Sequence, residues 1–382
     1  MMILLALFCA SCGSKPAPNP SVNVPVQPRQ NAARPQAGIG VVAKPSPSQE
    51  PKTPAPHEAA AILSGAQQIL FAAASPQRDE IFVLAQTSTD TSGGTFFVVR
   101  LDSTQKQVEE VMRGTNLTGP ESPVWSPDGK TAYFVFDDDT YGHPENAYDH
   151  GLFAWDSSTG KVTQISKDSI GGLALSPDGT LAGFWDYSAG DQLTVYNLKT
   201  NQVVRTWPGQ VHSEDDLVYT DLAFTPDGGS LLARLYAPDE NAVLRYDIDS
   251  GKTSPFAKNV QSLVTEAGGL YLLQFMPVPF TNPEHPHKLT KWMPGNTEPA
   301  TVLEDFHYDR LSGNGNNVWL IGESAGGYGR GTAIYNTQTG QIQTTGIGCG
   351  SAVVISSGKI LYIFGNEFVA DPSVCGGPPK GD

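Results

Sequence analysis

Charge, cysteine and long apolar runs are all scarce in this sequence, and each scarcity removes a class of protein. Charged residues make up only 16% of the 382, and the positive ones are fewest: 24 Lys and Arg stand against 39 Asp and Glu, a formal net charge of −15. An acidic surface repels phosphate backbones, so recognition of nucleic acid through a basic face is set aside. Four cysteines supply neither a disulfide-stapled scaffold nor a multi-zinc protein. The apolar run Met1–Ala10 falls well short of the roughly 20 residues of a membrane-spanning helix. What the sequence has in quantity is backbone punctuation, 40 Gly and 30 Pro, which multiplies turns and argues against a largely helical protein.

Met1–Ala10, followed by Ser11, Cys12, Gly13 and Ser14, has the apolar core and small-residue boundary of an export signal. Phe8-Cys9-Ala10-Ser11-Cys12 resembles a bacterial lipobox, in which small residues precede an obligatory cysteine. That resemblance implies a lipoprotein signal peptide over residues 1–11 and a mature N-terminus at Cys12. The cysteine would carry thioether-linked diacylglycerol and an N-acyl chain such as palmitate, several chains holding where one is marginal. No Lys or Arg precedes the apolar run, a departure from the usual pattern. The alternative is a simple cleaved signal with Cys12 free.

Residues 12–57 read as a tether. Between Lys15 and His57 stand eleven prolines and no aromatic residue, too little apolar area to offset the entropy of ordering. Pro-rich segments of this kind act as extended spacers. Lys15, Arg29, Arg34, Lys44 and Lys52 against Glu50 give the tether +4, which leaves −19 on residues 58–382.

The remainder repeats. Pro123–Phe136, Gly172–Phe184 and Asp221–Leu235 each hold an apolar run, a Ser/Thr-Pro-Asp-Gly turn and a second apolar run. Proline presets the first φ of such a turn, Asp bonds to its own backbone and Gly accepts positive φ, so each unit predicts a hairpin. Weaker copies place turn starts at 75, 126, 176, 225, 265, 312 and 356, at intervals of 40 to 51 residues, the length of one propeller blade. A second marker follows each turn, as in Trp155-Asp156…Gly160-Lys161, Tyr196-Asn197…Asn201-Gln202, Tyr246-Asp247…Gly251-Lys252 and Tyr335-Asn336…Gly340-Gln341. It predicts the end of a third strand and the turn into a fourth. Arg100–Lys106 and Trp292–Glu298 are degenerate versions.

These units resemble the WD-like propeller repeats of TolB-type bacterial proteins over roughly residues 66–365. The family's N-terminal TolB domain has no counterpart. The resemblance implies an all-β propeller domain within residues 58–382, of seven four-stranded blades with six or eight as alternatives, and an envelope location. It implies no activity, because the family holds scaffolds, binders and enzyme accessory domains. The last blade shows two strands, Ala352–Ser356 and Lys359–Phe364, and a strand from Glu58–Ser64 is expected to complete it and latch the ring. With Cys9 and Cys12 assigned to the signal, Cys349 and Cys375 remain. In an oxidising envelope they are expected to pair, at about 3–4 kcal/mol in the chain-entropy model, the alternative being two independent thiols.

Gly322-Glu323-Ser324-Ala325-Gly326 matches the nucleophile elbow of α/β-hydrolases, which needs a helix next and a histidine later in the chain. Gly327-Tyr328-Gly329-Arg330-Gly331 follows instead, and the last histidine, His307, precedes the serine. No catalytic residue is assigned.

The informative variation lies in the connections between second and third strands, which share one face of a propeller. From turn to aromatic marker takes 20 or 21 residues in blades three and four, 29 in blade two and 27 in blade five. The excess is Asp137–Gly151 in blade two and Pro277–His287 in blade five, and the acidic linker Trp207–Asp221, with His212 and Asp215, opens on the same face. Insertions on one face predict a binding surface. Asp137, Asp138, Asp139, Glu145 and Asp149 offer oxygen ligands of the kind calcium takes, with His143 and His150 nearby; a solvated acidic loop is the competing reading. The metal candidates are Asp137, Asp139, Glu145 and Asp149. Tyr141 and Tyr148 add aromatic contact area, and His285 and His287, among prolines, are expected to face water.

The sequence thus predicts a monomeric, lipid-anchored envelope protein without a resident cofactor. Its propeller would be a non-catalytic platform for an envelope protein or another extracytoplasmic ligand. The alternative is a propeller enzyme, a lactonase-like hydrolase or quinoprotein-like oxidoreductase with a metal or cofactor near the ring axis.

Overall fold

The Ser/Thr-Pro-Asp-Gly turn closes on itself through one repeated set of hydrogen bonds. In the computed structural model, the Ser126 hydroxyl donates to Asp128 Oδ1 (2.7 Å) and accepts from Thr131 N–H (3.0 Å), while Gly129 N–H reaches the Ser126 carbonyl (2.8 Å). Ser176 with Asp178 and Thr225 with Asp227 repeat this pattern. Gly129, Gly179 and Gly228 take φ of 66°, 68° and 71°, a region that L side chains avoid. Two of these glycines also admit a neighbour: a Cβ on Gly129 would lie 2.6 Å from Ser75 Oγ, and one on Gly179 would lie 2.8 Å from Pro127 Cδ. Each turn therefore nests on the turn of the blade before it.

The structure describes residues 59–87, 94–101, 106–114, 122–137, 150–188, 190, 192–209, 221–235, 241–266, 269–276, 287–306, 310–314, 317–322, 331–344 and 351–371. The chain divides into two units, Met1–Pro54 and Ala55–Asp382, and the described residues all belong to the second. They form seven four-stranded antiparallel sheets and no helix. Blade one is Gln68–Ala74, Glu80–Gln86, Gly94–Leu101 and Lys106–Gly114. Blade two is Val124–Trp125, Thr131–Asp137, His150–Asp156 and Val162–Gln164. Blade three is Ile170–Leu175, Leu181–Asp186, Gln192–Asn197 and Gln202–Trp207. Blade four is Leu222–Phe224, Ser230–Leu235, Ala242–Asp247 and Thr253–Ala257. Blade five is Val260–Glu266, Gly269–Phe275, His287–Trp292 and Ala300–Phe306, and blade six Arg310–Asn314, Asn317–Gly322, Gly331–Asn336 and Ile342–Thr344. This is a seven-bladed propeller, as the repeat predicts.

Blades stack face to face, so a second strand is covered on both sides. Ile81, Phe82, Val83, Leu84 and Ala85 are all fully buried, which is why their apolar run does not alternate. The core is a series of interblade layers. The layer between blades one and two is aromatic, with Phe82, Phe96, Trp125, Phe134, Phe153 and Trp155 together. Outer strands leave an open edge, and in blades one, three, four, five and seven a β-bulge interrupts their pairing, a device that blunts edge-to-edge association.

Blade seven closes the ring. Ser351–Val354, Ile360–Phe364 and Glu367–Val369 come from the C-terminal part, and the outer strand is Ala59–Ile62, paired to Glu367–Val369. The expected latch is therefore present. The third strand, Glu367–Val369, goes beyond the two strands read from the sequence; it follows the tight turn at Gly365-Asn366 and is only three residues long. Leu63 N–H donates to the Asn366 carbonyl (3.0 Å) and Ile69 N–H to the Gly365 carbonyl (2.8 Å). On the turn side, Asp79 accepts from Ser356 Oγ (2.7 Å) and Ser357 N–H (2.9 Å). Between them lies an apolar layer of Ala61, Leu63, Val353, Leu361, Ile363 and Phe368 against Ile81, Val83, Phe97 and Val99.

The third-strand marker is a second capped turn. Asp156 Oδ1 accepts from Ser158 N–H (2.9 Å), Ser158 Oγ (2.6 Å) and Thr159 N–H (2.8 Å). Asp247, Asn197 and Asn336 do the same in their blades. The turn then needs positive φ, supplied by Gly160, Gly251 and Gly340 and, in blade three, by Asn201 at 54°. The Ser158 hydroxyl, with Thr159, holds the Asp156 carboxyl down at about 2. The Ser126, Thr225 and Ser250 hydroxyls likewise lower Asp128, Asp227 and Asp247.

Two outcomes follow. Phe368→Ala empties the closing layer and is expected to cost about 3–5 kcal/mol in denaturant titrations, whereas Val203→Ala, on an exposed outer strand, should cost about 0.5 kcal/mol or less. Because the turn carboxyls titrate below their unfolded value of 3.8, their contribution is complete above that pH and lost as the pH falls through the folded values. The thermal midpoint should hold near neutrality and fall between about pH 4 and pH 2; a flat midpoint across that window would contradict the capping role.

Candidate functional site

First strands run from one face of the ring to the repeat turns on the other, and second strands run back. Connections between second and third strands, and between blades, therefore emerge together on the loop face, opposite the turn face. The latch strand Ala59–Ile62 runs from the turn face to the loop face, and Glu367–Val369 ends on the turn face. Both described ends of the chain thus lie away from the long connections.

Two candidate residues from blade two are brought together. Asp137 ends the second strand, His150 begins the third, and the two are cross-strand partners. The connection is therefore 138–149, shorter than Asp137–Gly151. Its base is held firmly: Gln164 Nε2 donates to the His150 carbonyl (2.9 Å), and Ile165 N–H to the Leu152 carbonyl (2.7 Å). Gly151, at φ 122°, lies so close to the following linker that a Cβ would collide with the Ser166 carbonyl. Asp138, Asp139, Tyr141, His143, Glu145, Tyr148 and Asp149 lie outside the described residues, as do His212, Asp215, His285, Cys12, Cys349 and Cys375. Among the described residues no group of three or more His, Cys, Asp or Glu side chains is placed to hold a metal ion.

His287 does not face water. It opens the third strand of blade five, is 5% exposed, and packs its ring against Phe275 with centroids 4.8 Å apart. Pro286 made it read as part of the loop; pairing with Phe275 and Phe306 places it in the sheet. Ser324 lies outside the described residues; the strands on either side of its segment, Asn317–Gly322 and Gly331–Asn336, pair with each other as far as Gly322 with Gly331.

Sequence reasoning missed Tyr187. It follows the second strand of blade three, its N–H donates to the Ser169 carbonyl (2.9 Å), and its ring lies against Gly171 of the innermost strand so closely that a Cβ there would strike it. The side chain is 45% exposed, an aromatic surface presented on the loop face. Ile170-Gly171-Gly172 was the available signal, but a glycine in a strand acquires this meaning only once the ring above it is placed. On the same face, at the closing seam, Ile62, Leu70 and Phe364 are also exposed. A groove of about 220 Å³ between the turns of blades three and four lies on the opposite face, and its Asp178 and Asp227 are occupied in capping their own turns.

No protein-family model matches the chain, and no curated protein matches it. Solved structures do share its fold. An oligogalacturonate lyase in complex with manganese gives a TM-score of 0.54 at 12% identity, over 81% of this chain and 91% of its own. An oligogalacturonate lyase from Vibrio parahaemolyticus gives 0.51 at 12%, over 77% and 87%. TolB from Acinetobacter baumannii is also similar, at 0.41 and 13%, over 73% and 76%, a score that adds no weight. At such identities the likeness shows the propeller fold and nothing finer.

The two loop-face glycines should respond differently to alanine. At Gly151 the obstacle is backbone and φ is positive, so Gly151→Ala is expected to cost about 2–3 kcal/mol. At Gly171 the obstacle is the end of a tyrosine that can swing away, so Gly171→Ala should cost about 1 kcal/mol or less. Thermal unfolding of both variants checks the order.

Proposed function

We propose that this protein is an envelope lipoprotein, anchored through lipidated Cys12, whose propeller is a non-catalytic binding platform that engages an envelope protein or another extracytoplasmic ligand through its loop face. The observation that carries the reading is the separation of the two faces. The turn face bears only short connections, of two to seven residues, and the described repeat turns among them are closed by their own hydrogen bonds. The loop face bears the connections of unequal length, the exposed Tyr187 and the paired base Asp137–His150. Insertions confined to one face of a rigid scaffold are the usual form of a binding surface. The acidic connection of blade two is its main contact, with Tyr141 and Tyr148 as aromatic anchors.

One observation favours a second reading, a propeller enzyme with a metal near the ring axis: the lyase of like fold carries manganese. Elemental analysis of native protein separates the two, since stoichiometric metal would favour the enzyme.

The platform is tested by replacing residues 138–149 with Asn-Gly, a turn suited to a two-residue hairpin. The expected result is an unchanged melting profile with loss of the partners captured from membranes by wild type, identified by mass spectrometry. Unchanged capture would remove the loop from the binding surface. The same spectra should show Cys12 as an acylated N-terminus; an unmodified Cys12 would remove the anchor.

A further inference from the structure

Repeat register singles out a charged side chain at a position that is apolar in the preceding blades. Eight residues after the turn proline, the second strands of blades one, two and three carry Leu84, Val135 and Trp185, each at most 4% exposed and packed toward the next blade. The same place in blade four holds Arg234. Leu232, two residues earlier, faces blade five, so strand alternation turns Arg234 to that side as well. Its side chain is 12% exposed. The neighbouring carboxylate, Asp221 Oδ2, is 3.7 Å from Nε, beyond hydrogen-bond length, and the buried Nε has no hydrogen-bond partner among the described residues.

A second unsatisfied group stands near it in the strand register. Arg234 pairs with Val243, and Asn241, two residues before Val243, falls on the same side of the sheet. Asn241 Oδ1 is buried and also lacks a hydrogen-bond partner among the described residues. Arg234 and Asn241 flank the connection 236–240, so both lie at the loop-face end of the layer between blades four and five. A buried guanidinium with one loose carboxylate is unfavourable compared with the apolar residue that the other blades use. It becomes favourable when a planar oxyanion takes its fork in two-point contact.

We propose that Arg234 and Asn241 form a subsite for a hydroxycarboxylate group. The ligand carboxylate binds the Arg234 guanidinium, its hydroxyl donates to Asn241 Oδ1, and Asp221 stands in for the carboxylate when the subsite is empty. This rests on the loop face being the binding face but is independent of the blade-two connection.

The test is thermal unfolding titrated with citrate at pH 7 and constant ionic strength, with tricarballylate, which lacks the hydroxyl, as the comparison. Wild type should show a saturable rise in midpoint with citrate and a weaker one with tricarballylate. Arg234→Leu, which restores the residue type of the repeat, should keep or raise the unliganded midpoint and lose the response. Asp221→Asn, which removes the internal competitor, should lower the half-saturating citrate concentration by about threefold or more. No saturable rise in wild type, or an equal rise in Arg234→Leu, would overturn the subsite. A citrate response retained after replacement of residues 138–149, with capture lost or kept, separates this proposal from the platform reading.

Discussion

Closure of the ring is the constraint on which the rest of the structure depends. Each blade buries its two faces against neighbours, so an open ring would leave two whole sheet faces in water, one on blade one and one on blade seven. The protein meets this by giving blade seven an outer strand from the other end of the domain, Ala59–Ile62, so that the seam is spanned by the chain itself. Phe368 and Leu63 fill the layer behind it, and Asp79 binds the blade-seven turn from blade one. Burial disfavours the Asp79 charge, but the Ser356 hydroxyl, the Ser357 N–H and the Lys359 charge outweigh it and hold the carboxyl below its ordinary value. Apolar layer and turn-side hydrogen bonds act at opposite ends of one seam, so neither end opens without straining the other.

The fold was legible in the sequence wherever backbone geometry narrows the choice of residue. A turn that needs positive φ, a short hydroxyl acceptor and a self-bonding carboxylate accepts few residues, so Ser126-Pro127-Asp128-Gly129 and its two relatives stand out. The aromatic marker survives for a similar reason: Asp156, Asp247, Asn197 and Asn336 are interchangeable as caps, and Asn201 replaces glycine because asparagine tolerates the left-handed region. Glu367–Val369 was invisible because a strand of three residues after a two-residue turn carries neither signature.

The site was less legible, and for a physical reason. Loop-face connections answer to no repeated geometry, so length and charge are the only signals they give, and those found the base Asp137–His150 but not what stands above it. His287 was misread because proline beside a histidine suggests a loop, while strand pairing that buries it is a long-range fact. Tyr187 and Arg234 depend on relations between strands: one on a glycine beneath its ring, the other on comparison with Leu84, Val135 and Trp185 at the same height in other blades.

That comparison also changes how the acidity should be read. A body carrying −19 invites the view that its carboxylates mark a binding face. Many do not. Asp79, Asp128, Asp156, Asp178, Asp227 and Asp247 are engaged in turns or in the seam, each with hydroxyl or backbone donors that lower its affinity for protons. These charges belong to folding and lie on the turn face. Unspent acidity on the loop face is correspondingly smaller, and within it Arg234 is a positive group held at an apolar position. In an acidic protein, a poorly partnered guanidinium on the variable face sets a local preference for an anion against a general repulsion of anions. That combination favours a ligand whose carboxylate meets the guanidinium fork while its remaining negative charges stay in solvent, where screening weakens the repulsion.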